Sequence, residues 1–216
     1  MTNQPLIKFE NETLSEFIFE IRYKPNPLIL DSRGTWAEGL IRTIGLNHWR
    51  ITENRIDVYN HEKDPEKASE RCFVSFKNAG WVSRNNSNYR QFIEKCNDLV
   101  SFWFSKEDIF TSKEVFVTRI GIKFRYGNKF FGSFNELLNL YEDQYLLPNK
   151  HNLQDIFNAD IVDIGGYLDL KSDDVFIKTM SGPMQNKQIK QFFPFADSAP
   201  ENILYFEIDS SLLPNE

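Results

Sequence analysis

The sequence predicts an α+β protein with a largely antiparallel sheet and three principal helices, and three observations predict it. Two segments carry apolar side chains three and four positions apart, the spacing of a helix that buries one face. Several runs rich in β-branched and aromatic residues alternate apolar with polar positions, as half-buried strands do. Strands follow one another with few helical crossovers, which favours antiparallel neighbours over a parallel sheet. With 216 residues, 41% hydrophobic and 20 of them Phe, the chain can fill the core of a single α+β domain over residues 1–216. Two pseudo-repeated halves sharing that core, 1–110 and 111–216, are the alternative organisation.

Phe17 to Tyr23 reads as the first strand and ends at Lys24-Pro25-Asn26-Pro27. Asp31 or Ser32 then caps a helix over 31–45 with Trp36, Leu40 and Ile44 on one face and Gly45 as its stop. Trp49 to Tyr59 and Arg71 to Val82 read as two strands, separated by the charged run His61 to Lys67. Asn86 or Ser87 opens a helix over 87–105, with Tyr89, Phe92, Ile93, Cys96, Leu99, Val100 and Trp103 as its apolar stripe. That stripe reads as core.

Val115 to Tyr126 is the longest strand. Ser133 and Glu136 make a capping-box pattern for a helix over 133–146, whose stripe is Phe134, Leu137, Leu138, Tyr141 and Tyr145. Asp160 to Lys171 and Val175 to Met180 form a hairpin turning at Ser172-Asp173-Asp174, residues 181–202 read as an irregular connection, and Ile203 to Asp209 is the last strand. Ile21-Arg22-Tyr23-Lys24 resembles Phe124-Arg125-Tyr126-Gly127, which is the basis for the two halves.

The net charge is −6, so the surface as a whole repels phosphate backbones. The charge is uneven: residues from 151 onward hold 11 acids and 4 bases, whereas residues 1–150 hold 20 acids and 21 bases. No apolar run approaches the roughly 20 residues of a membrane span, and the first residues lack the basic and apolar regions of a secretory signal. A cytoplasmic protein that does not engage membranes is expected. Cys72 and Cys96 are too few for a disulfide framework and sit in apolar contexts, so both read as buried thiols.

The motifs of well-known chemistries are missing. Gly165-Gly166 stands alone and the other glycines are not spaced for a phosphate loop; His48, His61 and His151 lack the spacing of a zinc site. No nucleophile elbow occurs. No catalytic residue, metal ligand or cofactor is therefore assigned, and a non-catalytic role is favoured over an enzyme.

Strand parity supplies one candidate site. Arg119, Lys123 and Arg125 share one face of their strand, Glu20 and Arg22 share a face of the first, Asp163 and Asp169 of another, and Glu207 and Asp209 of the last. In one sheet these side chains would form either a solvated face of cross-strand ion pairs or a groove for an anionic ligand or acidic partner. A second candidate is Phe192, Phe193 and Phe195, which read either as a plug for the core or as an exposed docking patch.

Phe19-Glu20-Ile21-Arg22-Tyr23, Asn88-Tyr89, Thr118 to Asn128 and Phe206-Glu207-Ile208-Asp209 occur in that order. With them the chain resembles a sporadically distributed bacterial family of uncharacterised proteins. Those proteins have a Glu-Ile-Arg-aromatic opening strand, a central Arg-hydrophobic-Gly strand with Arg-Tyr and Asn, and a closing acidic strand. Two departures stand out: Lys123-Phe124-Arg125 replaces a tighter spacing, and the chain stops soon after Asp209, where the family adds a helix. The patchy distribution resembles that of mobile defence genes. What the resemblance implies is an interaction subunit of a bacterial anti-phage or toxin–antitoxin-like system. A protein partner or self-association is expected ahead of nucleic acid. A module for nucleic acid or a small anionic ligand, and a metal-dependent hydrolase, are the alternatives.

Overall fold

The computed structural model describes residues 13–86, 88–105, 117–145, 161–196, 198 and 200–212. In chain order it contains β1 (Thr13–Tyr23), α1 (Leu28–Asp31), α2 (Arg33–Ile44), β2 (His48–Ile51), β3 (Arg55–Tyr59), β4 (Glu70–Ser75) and β5 (Asn78–Arg84). There follow α3 (Tyr89–Phe104), β6 (Val117–Phe130), α4 (Phe134–Tyr145), β7 (Gly166–Ser172), β8 (Val175–Gln185), α5 (Asn186–Phe192) and β9 (Asn202–Leu212). The fold is α+β. Nine strands form an antiparallel sheet in the order β2-β3-β4-β5-β1-β6-β9-β8-β7, and five helices stand among the described residues.

The differences from the sequence reading have local causes. Residues 49–59 make two strands instead of one, because the Thr52 amide and hydroxyl both donate to the Arg55 carbonyl, at 2.8 and 3.1 Å, and reverse the chain. Residues 71–82 also divide. The Ser75 hydroxyl oxygen accepts from the amides of Lys77 and Asn78 at 3.2 and 3.1 Å, a local turn that competes with strand continuation. The first part of the stretch 181–202 is not irregular: β8 continues through Gly182-Pro183 to Gln185 and α5 follows at once, so its described residues lack regular structure only after Phe192. Tyr89 does not join the buried stripe of α3 but is 56% exposed. The expected starts at Val115 and Asp160 lie outside the described residues.

Other local readings match. Gly45 closes α2 at φ 75°, a left-handed conformation that costs a glycine nothing sterically. Ser133 and Glu136 form the reciprocal cap of α4: the Ser133 amide donates to Glu136 Oε2 at 2.7 Å and the Glu136 amide donates to Ser133 Oγ at 3.3 Å. The bonds from Ser133 hold the Glu136 carboxyl below its ordinary value. Asp173, at φ 45°, turns β7 into β8.

The chain divides into two compact units, each discontinuous in sequence. One comprises residues 15–124, 169–178 and 208–216; the other comprises 1–14, 125–168 and 179–207. In the first, α2 and α3 pack on the sheet. The register sets Phe19 opposite Trp81 and Trp81 opposite Cys72, and all three are buried. Phe17 meets Phe92 edge-on at 5.4 Å and Phe19 stacks with Trp103 at 6.4 Å. Alternate side chains on β1, β3, β4 and β5 fall to the opposite face, where charges meet in pairs with at least one buried member. Arg84 Nε donates to Glu16 Oε1 at 2.9 Å, with both side chains under 5% exposed, and Arg71 pairs with Glu66. Arg55 Nε lies 2.8 Å from Asp57 Oδ1, a close ion pair that is not aligned as a hydrogen bond.

The second unit has two apolar clusters. One gathers Met184, Ile189, Phe193, Phe195, Ile203 and Tyr205; the other gathers Leu137 and Tyr141 of α4 with Leu204 of β9. Phe193 and Phe195 are thus core residues. The exposed aromatic docking patch that they suggested in the sequence does not exist at those positions, because α5 turns them inward against Ile203 and Tyr205.

Candidate functional site

The cationic stripe of β6 finds its counter-charges on β9. Within the first unit, Arg119 Nη2 donates to Asp209 Oδ1 at 2.7 Å and Lys123 Nζ lies 3.1 Å from Asp209 Oδ2. Within the second, Arg125 Nε donates to Glu207 Oε2 at 2.8 Å. None of the five side chains is more than 26% exposed. Arg22 is not among these contacts; its guanidinium bonds Glu20 on its own strand at 2.9 Å. Asp169 is exposed and makes no ion pair among the described residues. Asp163 lies apart from the stripe, in a different setting.

That setting is a cleft of about 340 Å³ in the second unit, between the segment 161–167, the second half of β8, α5 and β9. Its apolar lining includes Met180, Met184 and Phe192, and Tyr167 and Tyr205 add aromatic rings. The rings of Phe192 and Tyr205 are 4.9 Å apart. Among the described residues, Asp163 is the one ionised side chain of the lining. Its Oδ1 accepts from the Ile164 amide at 2.8 Å and its Oδ2 accepts from Gln188 Nε2 at 3.3 Å. No basic side chain of the described residues pairs with it.

Each wall has a local reason. Gln188 is the third residue of α5, and its Oε1 accepts from the Gln185 amide at 3.0 Å, so one side chain caps the helix and holds Asp163. Gly182 lets the segment before β7 lie directly on β8, since a Cβ there would sit 2.7 Å from the Ile164 carbonyl oxygen. Gly166 leaves room for the Tyr141 hydroxyl, which is 2.8 Å from Ser181 Oγ and donates to the Ser181 carbonyl at 3.1 Å. The Gly165-Gly166 pair therefore serves close packing of chain segments and not a phosphate loop.

Tyr205 is buried in the wall of the cleft and donates its hydroxyl to Glu207 Oε2 at 2.7 Å. It shares strand parity with Glu207, and that alternation was the signal that could have added it to the polar face. Gln188 and Met184 carried no such signal, because the stretch 181–202 that holds them reads as a connection, and Met180 reads only as the apolar end of a strand. The buried pair Glu16–Arg84 and the pair of buried Arg71 with exposed Glu66 were also unforeseen, although Glu16 lies on the polar parity of β1.

Among the described residues no group of three or more His, Cys, Asp or Glu is placed to hold a metal ion, and no helix is long and apolar enough to cross a membrane. No family model matches the chain, and no curated protein matches it.

Proposed function

We propose that the protein is a non-catalytic interaction subunit that holds an extended segment of a protein partner at the cleft of the second unit. The observation that carries this reading is the coincidence of that cleft with uncovered apolar side chains. Val162, Tyr167 and Leu168 are 79%, 77% and 54% exposed, and Tyr167 is itself part of the lining. Large apolar side chains left in water are favourable to cover. The strand that carries two of them, β7, stands at one end of the sheet order. Strand addition at such a position supplies main-chain hydrogen bonds, and neighbouring pockets supply specificity.

The alternative of an anionic ligand on the arginine stripe has less support. Arg119 and Lys123 converge on Asp209, and Arg125 is committed to Glu207, so an anion would have to displace carboxylates already in place. The setting in a bacterial anti-phage or toxin–antitoxin-like system rests on the family resemblance alone, as does membership of that family.

A displayed library of random heptapeptides tests the reading. Selection on the full chain should enrich a shared consensus, and Tyr167→Ser or Leu168→Ser should abolish its binding without changing the circular dichroism spectrum. A selection that enriches nothing, with tight and salt-steep binding to DNA or RNA instead, would overturn it.

A further inference from the structure

We infer that the cleft of the second unit is a pocket for a basic side chain: it takes one lysine or arginine of the bound segment. This rests on the interaction reading above and adds the chemistry that selects the partner.

The charge in the cleft points one way. Asp163 is the ionised group of the described lining, and no basic side chain of the described residues neutralises it. Its two oxygens accept one bond each, from the Ile164 amide and from Gln188, whereas an ionised carboxylate offers about four acceptor directions. Acceptor capacity therefore remains for the several N–H donors of an ammonium or guanidinium. The other groups suit the rest of such a side chain. The thioethers of Met180 and Met184 and the ring of Phe192 are apolar surface for a methylene stem. Tyr167, 77% exposed, offers a π face, which attracts a cation electrostatically.

Size and placement agree with one side chain of a longer segment. At about 340 Å³ the cleft is at the small end of ligand pockets. Tyr167 connects it directly to β7, where the backbone of an added strand would run. A strand laid there projects alternate residues to one face, so one basic residue enters while its neighbours meet Leu168 and Val162. The carboxylate is also held in place beforehand. Gln188 fixes it from α5, and the glycine at 182 fixes the segment that bears it, so little ordering remains to oppose binding.

The experiment uses the full chain and the heptapeptides selected above. The enriched sequences should carry Lys or Arg at one fixed position and apolar residues around it. By titration calorimetry, replacing that basic residue with Ala should weaken binding about tenfold, the loss of one charge-assisted contact. Asp163→Asn should bring the basic and Ala peptides to equal affinity, and Asp163→Lys should turn the preference toward acidic peptides. Asp163 is exposed, so both variants should fold. Enriched peptides without a basic position, or an unchanged preference in Asp163→Asn, would overturn this inference while leaving the interaction reading standing. No enrichment at all would instead remove the interaction reading, and the pocket assignment with it.

Discussion

Tyr205 donates its hydroxyl proton to Glu207 Oε2 at 2.7 Å, two residues along β9, and Arg125 donates to the same oxygen at 2.8 Å. A buried ring in the cleft wall is thereby locked to the ion pair that begins on β6. Removing the hydroxyl leaves Arg125 in place, so Tyr205→Phe should fold but lose about 2 kcal/mol, the worth of a hydrogen bond to a charged group. Urea unfolding should show a lower midpoint at unchanged slope.

Arg84 and Glu16 form the most deeply buried ion pair among the described residues, with side chains 3% and 4% exposed. Arg84 also donates to the Ala68 carbonyl at 3.1 Å. Arg84→Met should cost about 3–5 kcal/mol because Glu16 would stay buried after losing the Arg84 charge. The double variant Arg84→Met with Glu16→Gln should recover a large part of that loss, as read from a double-mutant cycle.

Gly80 faces the backbone of β1 and the Phe73 ring: a Cβ there would lie 2.3 Å from the Phe19 carbonyl oxygen and 2.7 Å from Phe73 Cζ. Strand β5 is paired on both sides at this residue and cannot shift away. Gly80→Ala should destabilise by about 3 kcal/mol, the upper end of overpacking, and thermal melting of the variant checks it.

The two cysteines should resist thiol reagents. Burial pushes the Cys96 thiol up to about 12 and the Cys72 thiol well above its ordinary range, so neither forms a thiolate near pH 8. A colorimetric disulfide reagent should titrate both only after denaturant is added.

The same burial predicts alkaline weakening, with a definite sign. Cys72, Cys96 and Tyr23 all have folded pKa values raised by desolvation. Above about pH 9 the unfolded chain releases these protons while the folded chain keeps them, so stability falls as pH rises, by about 1.4 kcal/mol per pH unit for each group fully ionised in the unfolded state alone. Denaturation midpoints between pH 8 and 10.5 should decline, and Cys96→Ala should flatten the decline.

The elements that the sequence determined by itself are those whose causes are local. The apolar spacing of Trp36, Leu40 and Ile44, the glycine stop at 45 and the Ser133–Glu136 cap each act within a few residues, and the structure has helices at all of these places. Strand alternation likewise put Arg119, Arg125, Glu207 and Asp209 on polar positions. Which acid meets which base was beyond it. Parity states a face, whereas the placement of strands distant in sequence sets Arg119 on Asp209 and Arg125 on Glu207 and leaves Arg22 to the Glu20 of its own strand. The hairpin reversals at Thr52 and Ser75 were missed because a serine or threonine bonding its own backbone looks, in sequence, like an ordinary strand residue. The cleft was decided by tertiary structure alone: Asp163, Gln188 and Tyr205 come from three separate segments. They meet because Gly182 admits one backbone onto another and α5 turns Phe193 inward, and the energy of such contacts depends on distances between segments that no local pattern encodes.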